Sequence, residues 1–177
     1  MNRKAIICGI KGYRLTSEEK NIFRKKKPWG IILFSRNVKN ISQLKSLVTD
    51  IRKTFKDRKY PILIDQEGGT VSRLNNIIDL SIFSQNYFAQ LYKKDKKLFL
   101  NAYKIYINKV SDIFNYTGIN INIAPVLDVR RKNTNKVIGT RSFSKNPSIV
   151  VKLAKLCINF YKKNKIATVV KHIPGHG

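Results

Sequence analysis

Two carboxylates follow a short apolar run: Ile62-Leu63-Ile64 leads directly into Asp65-Gln66-Glu67-Gly68-Gly69. A β-branched run of this kind reads as a strand buried on both faces, as in parallel sheets. Acids at its end are costly to bury unpaired, so they belong at a solvent-reachable mouth. The paired glycines permit a sharp turn and close approach of a ligand. In barrels of parallel strands that mouth carries the chemistry. The plainer alternative is a capped turn with exposed acids. Other strand ends are also followed by polar groups: Ser35-Arg36-Asn37, Asp128 and Lys171-His172.

The elements that must position these groups alternate between strand and helix. Ala5 to Ile10, Ile31 to Phe34, Pro61 to Ile64, a stretch within Ile119 to Val129, and Ala167 to Val170 read as five strands. Thr16 and Glu19 form a capping box before a helix that ends near Lys27. Asn40 and Gln43 open a second helix, with Leu44, Leu47, Val48, Ile51 and Phe55 on one face. A longer helix carries Ala102, Ile105, Tyr106, Val110, Ile113 and Phe114 inward and stops at Gly118. Asn146 caps and Pro147 starts a last helix, which turns Val150, Ala154, Cys157, Ile158 and Tyr161 inward.

Alternating strands and helices mean an α/β protein with a parallel sheet. A doubly wound sheet gathers its site at one switch point, whereas a barrel draws on many strand ends. Polar residues follow nearly every strand here, and no Gly-rich phosphate fingerprint follows the first. The expected fold is a TIM-like (β/α)8 barrel with about five βα units, too few for the barrel to close. No repeat, low-complexity block or linker divides residues 1–177, so one partial domain is expected.

Composition bounds the partners. The net charge is +26, from 36 Lys and Arg against 10 Asp and Glu, and 42% of residues are hydrophobic. Such an excess suits a nucleic acid or anionic surface. The lysines are scattered, however, and the joint abundance of Lys, Asn, Ile, Tyr and Phe fits a bias toward A and T codons. No specific nucleic-acid partner is therefore expected. Cys8 and Cys157 lie among apolar neighbours without metal or redox spacing, which points to two buried, reduced thiols. The apolar run after Met1 is interrupted at Lys11 and lacks a cleavage pattern, and no segment approaches membrane-span length. A cytoplasmic protein without membrane contact is expected.

Five segments taken together resemble a known family: Gly30 to Asn37, Asp65 to Gly69, Ala124 to Val129, Gly139 to Phe143, and Lys171 to Gly177. In order and spacing they are similar to the family 3 glycoside hydrolases, and among these to bacterial cytoplasmic β-N-acetylhexosaminidases of peptidoglycan recycling. The resemblance implies a retaining glycosidase that removes terminal β-linked N-acetylglucosamine from muropeptides, without metal or organic cofactor. It implies a substrate site of Asp65, Arg73, Arg141, Lys171 and His172. A carboxylate such as Asp65 can accept hydrogen bonds from two hydroxyls of one sugar, and the basic groups donate to sugar oxygens. Arg73 and Arg141 have a structural alternative, pairing with Glu67 or Asp128 to neutralise buried acids, and His172 could be a satisfied core histidine. Asp128 is expected to hold loop amides, and His176 to be structural.

The same resemblance places the catalytic nucleophile (an aspartate) and the acid/base (an Asp-His pair) beyond Gly177, so no catalytic residue is expected among these 177. The missing carboxyl-terminal half of the barrel is then an expected partner, and the fragment alone is expected to be inactive. An inactive product of a split or truncated gene is the leading alternative, and a basic nucleic-acid-binding protein a more distant one. Thr70, Thr140 and Arg130 depart from the family pattern, standing where a basic, an acidic, and a small or acidic residue are usual.

Overall fold

The computed structural model describes residues 3–176. Five strands, β1 (Lys4–Cys8), β2 (Pro28–Leu33), β3 (Ile62–Ile64), β4 (Ile121–Asn122) and β5 (Ala167–Thr168), form one sheet in the order β1-β2-β3-β4-β5. Every neighbouring pair is parallel, with Ile31 opposite Ile62 and Leu63 opposite Ile121. Sequential parallel order without reversal is the winding of a barrel and has no doubly wound switch point. The five-stranded open sheet matches the expected fold class.

Helices α1 (Ser17–Lys26), α2 (Ile41–Phe55), α3 (Gln85–Lys94), α4 (Lys96–Thr117) and α5 (Pro147–Lys163) connect the strands. The α1 capping box is complete: Thr16 Oγ1 accepts the Glu19 amide at 3.1 Å, and Glu19 Oε2 accepts the Thr16 amide at 2.8 Å. Asn40 caps α2 through the Gln43 amide at 2.8 Å. All five apolar residues assigned to its inner face are buried. They pack against Ile31, Leu33, Ile62 and Ile64 in one core with α4 and α5. Burying that much apolar area is the main force holding helices on the sheet. Tyr60 closes the base of the core, its ring stacked 3.8 Å from Phe55 and its hydroxyl donating to the Pro28 carbonyl at 2.6 Å.

Several local expectations are corrected. In α4, Ile105 is 69% exposed, and Phe99, Tyr103 and Ile107 join the buried stripe instead. Leu98, Leu100 and Tyr116 are exposed as well, so apolar residues surround this helix and its phase cannot be set by hydrophobicity alone. Ile158 is only half-buried, and Leu153 takes an inward place on α5. Cys8 is half-buried rather than buried, because β1 is an edge strand with Ile6 and Ile7 about half exposed; Cys157 is fully buried. β4 and β5 are two residues each, shorter than the runs read from sequence. Helix α3, capped by Ser84 on the Tyr87 amide at 3.1 Å, had no expected counterpart. Among the described residues no helix is long and apolar enough to cross a membrane.

Candidate active site

The carboxyl end of β3 turns on a frame of buried amides. Asn122 on β4 accepts the Gln66 amide at 3.0 Å and donates to the Gln66 carbonyl at 2.9 Å. The Gln66 side chain then accepts the amides of Arg73 and Leu74 at 2.8 and 3.2 Å and donates to Ser72 Oγ at 3.0 Å. One buried amide thus replaces the ladder where regular pairing stops, as buried polar groups require. Gly68 and Gly69 have φ of 85° and 62°, in the region that favours glycine. A Cβ on Gly68 would overlap the Phe83 carbonyl oxygen and stand 2.7 Å from the Tyr106 hydroxyl. Close packing, as well as backbone conformation, selects glycine there.

This turn aims Glu67 into a buried ion-pair network. Both oxygens of its carboxylate receive Arg141, from Nε at 2.8 Å and Nη2 at 2.9 Å. Lys171 Nζ lies 2.6 Å from the same carboxylate and 2.5 Å from Asp65. The Glu67 side chain is 1% exposed. Two cations therefore offset an acid that could not otherwise be buried. The bidentate contact from Glu67 outweighs burial and raises the Arg141 pKa, with Asp65 and Asp128 adding smaller attractions.

Lys171 is placed by the sheet. Its carbonyl accepts the Leu127 amide at 2.6 Å and its amide donates to the Pro125 carbonyl at 3.3 Å. These bonds continue the β4–β5 pairing toward the mouth as a Val126–Lys171 bridge. His172 then faces Asp128, Nδ1 to Oδ2 at 2.6 Å, while Asp128 Oδ1 accepts the His176 amide at 2.6 Å. Burial would raise the Asp128 pKa, but the bonds from His172 and the His176 amide overcome it and hold the carboxyl below its ordinary value. The His172 and His176 rings meet edge to face at 5.2 Å. Beside them opens a cleft of about 390 Å³ bounded by Asp128, His172 and His176.

The loop between β4 and α5 is held from outside by Gln85 at the start of α3. Its side chain donates to the carbonyls of Val126 (3.0 Å) and Arg141 (2.6 Å) and accepts the Val126 amide at 2.9 Å. Ser142 Oγ donates to the Asp128 carbonyl at 2.5 Å. The short helical turn Gly139–Arg141 is thereby pinned where Arg141 reaches Glu67.

The structure brings Asp65, Arg141 and Lys171 into one network and joins His172 to it through the chain. For Arg141 the pairing with Glu67 is realised. Arg73 stands apart: its guanidinium lies 5.9 Å from the Phe34 ring centre, and its buried Nε has no acceptor. Among the described residues it forms no ion pair with Glu67 or Asp128. Asp128 holds a loop amide as expected and holds His172 as well. Glu67, the centre of the network, carried no site role in the sequence reading, although its motif was visible. Gln85 had no local signal, since its partners lie 41 and 56 residues away. Among the described residues no three His, Cys, Asp or Glu side chains converge as a metal-binding group.

The model of the glycosyl hydrolase family 3 N terminal domain matches residues 5–177. The chain is 34% identical over 177 residues to a beta-hexosaminidase of Neisseria gonorrhoeae, across 99% of this chain and 48% of that protein. It is 30% identical over 172 residues to one of Xanthomonas axonopodis pv. citri, across 97% of this chain and 50% of the relative. It also superposes on the crystal structure of NagZ from Neisseria gonorrhoeae in complex with N-trifluoroacetyl-D-glucosamine. There the TM-score is 0.86 at 33% identity, covering 99% of this chain and 52% of that one. A family 3 beta-N-acetylglucosaminidase from Paenibacillus sp. str. FPU-7 gives a TM-score of 0.82 at 28% identity, covering 98% and 32%. The chain spans about half the length of the Neisseria and Xanthomonas relatives. With a match running along nearly all of its residues, the chain belongs to glycosyl hydrolase family 3, in the N-terminal domain of that family.

Proposed function

We propose that this chain forms the sugar-binding part of a β-N-acetylhexosaminidase that acts on terminal β-linked N-acetylglucosamine. The observation that carries the reading is one network at the carboxyl ends of parallel strands, in which Lys171 bridges Asp65 and Glu67 and Arg141 pairs with Glu67. Likeness to a NagZ solved with N-trifluoroacetyl-D-glucosamine supports it. Asp65, 17% exposed and holding Lys171 through one oxygen, keeps a second oxygen for sugar hydroxyls. Lys171 and His172 supply donors from the end of β5, across β4, and Arg141 and Glu67 hold the floor rigid. Arg73, whose guanidinium lies over Phe34 just after β2, is a further donor in this reading.

In the complete enzyme the reaction retains configuration. One group attacks the anomeric carbon and another protonates the leaving oxygen. We assign neither to Asp65, Glu67 or Asp128: the first two are engaged by cations, and the third by the His172 ring and the His176 amide. Both belong to the length of the relatives that this chain does not span. The natural substrate is a muropeptide of cytoplasmic peptidoglycan recycling, and the rest of the barrel is the partner of this half.

Titration of the isotope-labelled chain with N-acetylglucosamine, followed by NMR at the Lys171 and His172 amides, tests the sugar site. Saturable shifts stronger than those from glucose are expected. Asp65→Ala leaves Glu67 and Lys171 paired, so the fold should persist while affinity falls about tenfold or more. Equal response to both sugars, or unchanged affinity in Asp65→Ala, overturns the reading.

A further inference from the structure

A second concavity, of about 500 Å³, opens between α3 and the start of α5. Lys93, Arg130 and Lys145 border it together with Gln90, Ser144 and Asn146, and no acid does. None of the three cations makes an ion pair among the described residues. Arg130 is anchored at both ends, its amide donating to the Ser144 carbonyl at 3.2 Å and its Nη2 to Asn86 Oδ1 at 2.6 Å. Its Nε is nevertheless buried without an acceptor. A buried donor left unmade is expensive, and this cost favours an acceptor beside the Arg130 guanidinium. The 17-residue α5 begins at Pro147, so its positive pole faces the same space. Asn146 Oδ1 already takes the Ser148 amide at 2.9 Å, so the helix contributes its field and the side chains contribute the donors.

Three like charges around one concavity repel unless an anion sits among them. We propose that this pocket binds a dianionic oxyanion group, either a phosphate or two neighbouring carboxylates. Arg130 supplies the planar fork that suits such groups, and Lys93 and Lys145 supply flexible charge at the rim. The pocket is tied to the mouth by its supports. Arg130 follows Asp128 by two residues, and Asn86 follows Gln85, which clamps Val126 and Arg141. The anion therefore has two possible sources: a free phosphate compound, or the acidic tail of a ligand whose sugar occupies the mouth. The pocket itself does not depend on the sugar reading; only the second source does.

The test is NMR titration of the 177-residue chain at about 0.15 M salt, which screens diffuse attraction by a protein of this charge. The probes are inorganic phosphate and, separately, the dipeptide alanyl-glutamate, each with and without N-acetylglucosamine. Saturable shifts at Ser144, Lys145 and the Arg130 Nε–H are expected. The double variant Lys93→Gln/Lys145→Gln should weaken binding about tenfold or more, as should Arg130→Gln. Lys25→Gln/Lys26→Gln, which removes equal charge from exposed lysines outside the pocket, should change affinity less than twofold, roughly the scale of screened surface charge. Saturation by phosphate assigns the free source. Saturation by the dipeptide that tightens with N-acetylglucosamine assigns the substrate tail, and either result supports the pocket. If neither probe saturates, or the two lysine double variants weaken binding equally, the pocket is refuted and only diffuse charge remains.

Discussion

Lys171 Nζ lies 2.5 Å from Asp65 Oδ1, joining groups 106 residues apart in the chain. The same ammonium lies 2.6 Å from Glu67, so one cation from the fifth strand's end neutralises two acids from the third's. The sheet order puts β4 between β3 and β5, so the contact bridges over a strand. Removing Lys171 leaves Glu67 with Arg141 but leaves Asp65 without its cation. Lys171→Met should destabilise the chain by about 1–3 kcal/mol in urea unfolding, because a largely buried charge loses its partner. Asp65→Asn should relieve part of that loss, making the double variant less damaging than the sum of the singles. Strict additivity would show that the two groups do not interact in solution.

Asp128 sets an acid limit on the loop that carries His172. Its pKa is lowered in the folded chain, so the folded form binds its proton less readily than the unfolded form. Stability from this group is therefore complete above the ordinary carboxylate value of about 3.9 and is lost as pH falls through the lower folded value. Unfolding free energies across about pH 2 to 6 should slope upward with pH, and Asp128→Asn should flatten part of that slope. An identical slope in the variant would mean other carboxylates account for it.

Gly68 controls where Glu67 points. Alanine there meets both the left-handed backbone region and the Phe83 carbonyl, with Tyr106 close behind. Gly68→Ala should cost about 3 kcal/mol or more and shift the resonances of Arg141, since the turn cannot move without moving the ion pair. Gly139→Ala makes a useful contrast, because its Cβ meets nothing within 4 Å. Its φ of 40° imposes only the backbone penalty, about 1 kcal/mol. Equal losses in the two variants would show that the close contact at Gly68 is unimportant.

Legibility followed the range of each interaction. The Thr16–Glu19 box and the Asn40 cap are contacts over three residues, so their spacing alone reveals them. The winding was legible because nearly every strand ends in polar residues, a pattern that repeats along the chain. Which cation meets Glu67 was not legible: Arg73 is six residues away and Arg141 seventy-four, and only the fold selects the distant one. Gln85 was hidden for the same reason, its role being set entirely by carbonyls on another loop. The Ile105 error has a different cause, since a helix with apolar residues on every side carries no single hydrophobic face to read.

The 177-residue chain should leave an aryl N-acetyl-β-D-glucosaminide intact, and the network itself gives the reason. A retaining glycosidase needs a carboxylate free to attack and an acid that holds a proton near neutral pH. Glu67 has both oxygens committed to Arg141 and is approached by Lys171. Asp65 is held by Lys171. Asp128 is bound by His172 and the His176 amide, which lower its pKa and make it a poorer acid for this purpose. An electropositive mouth of this kind suits binding and orientation of an oxygen-rich ligand more than proton donation. Release of the aryl alcohol, measured by absorbance over hours at high protein concentration, should match the buffer control. The same sample should still bind N-acetylglucosamine, separating recognition from turnover. Clear hydrolysis abolished by Asp65→Ala or Glu67→Gln would put the reacting groups inside this network and overturn the assignment.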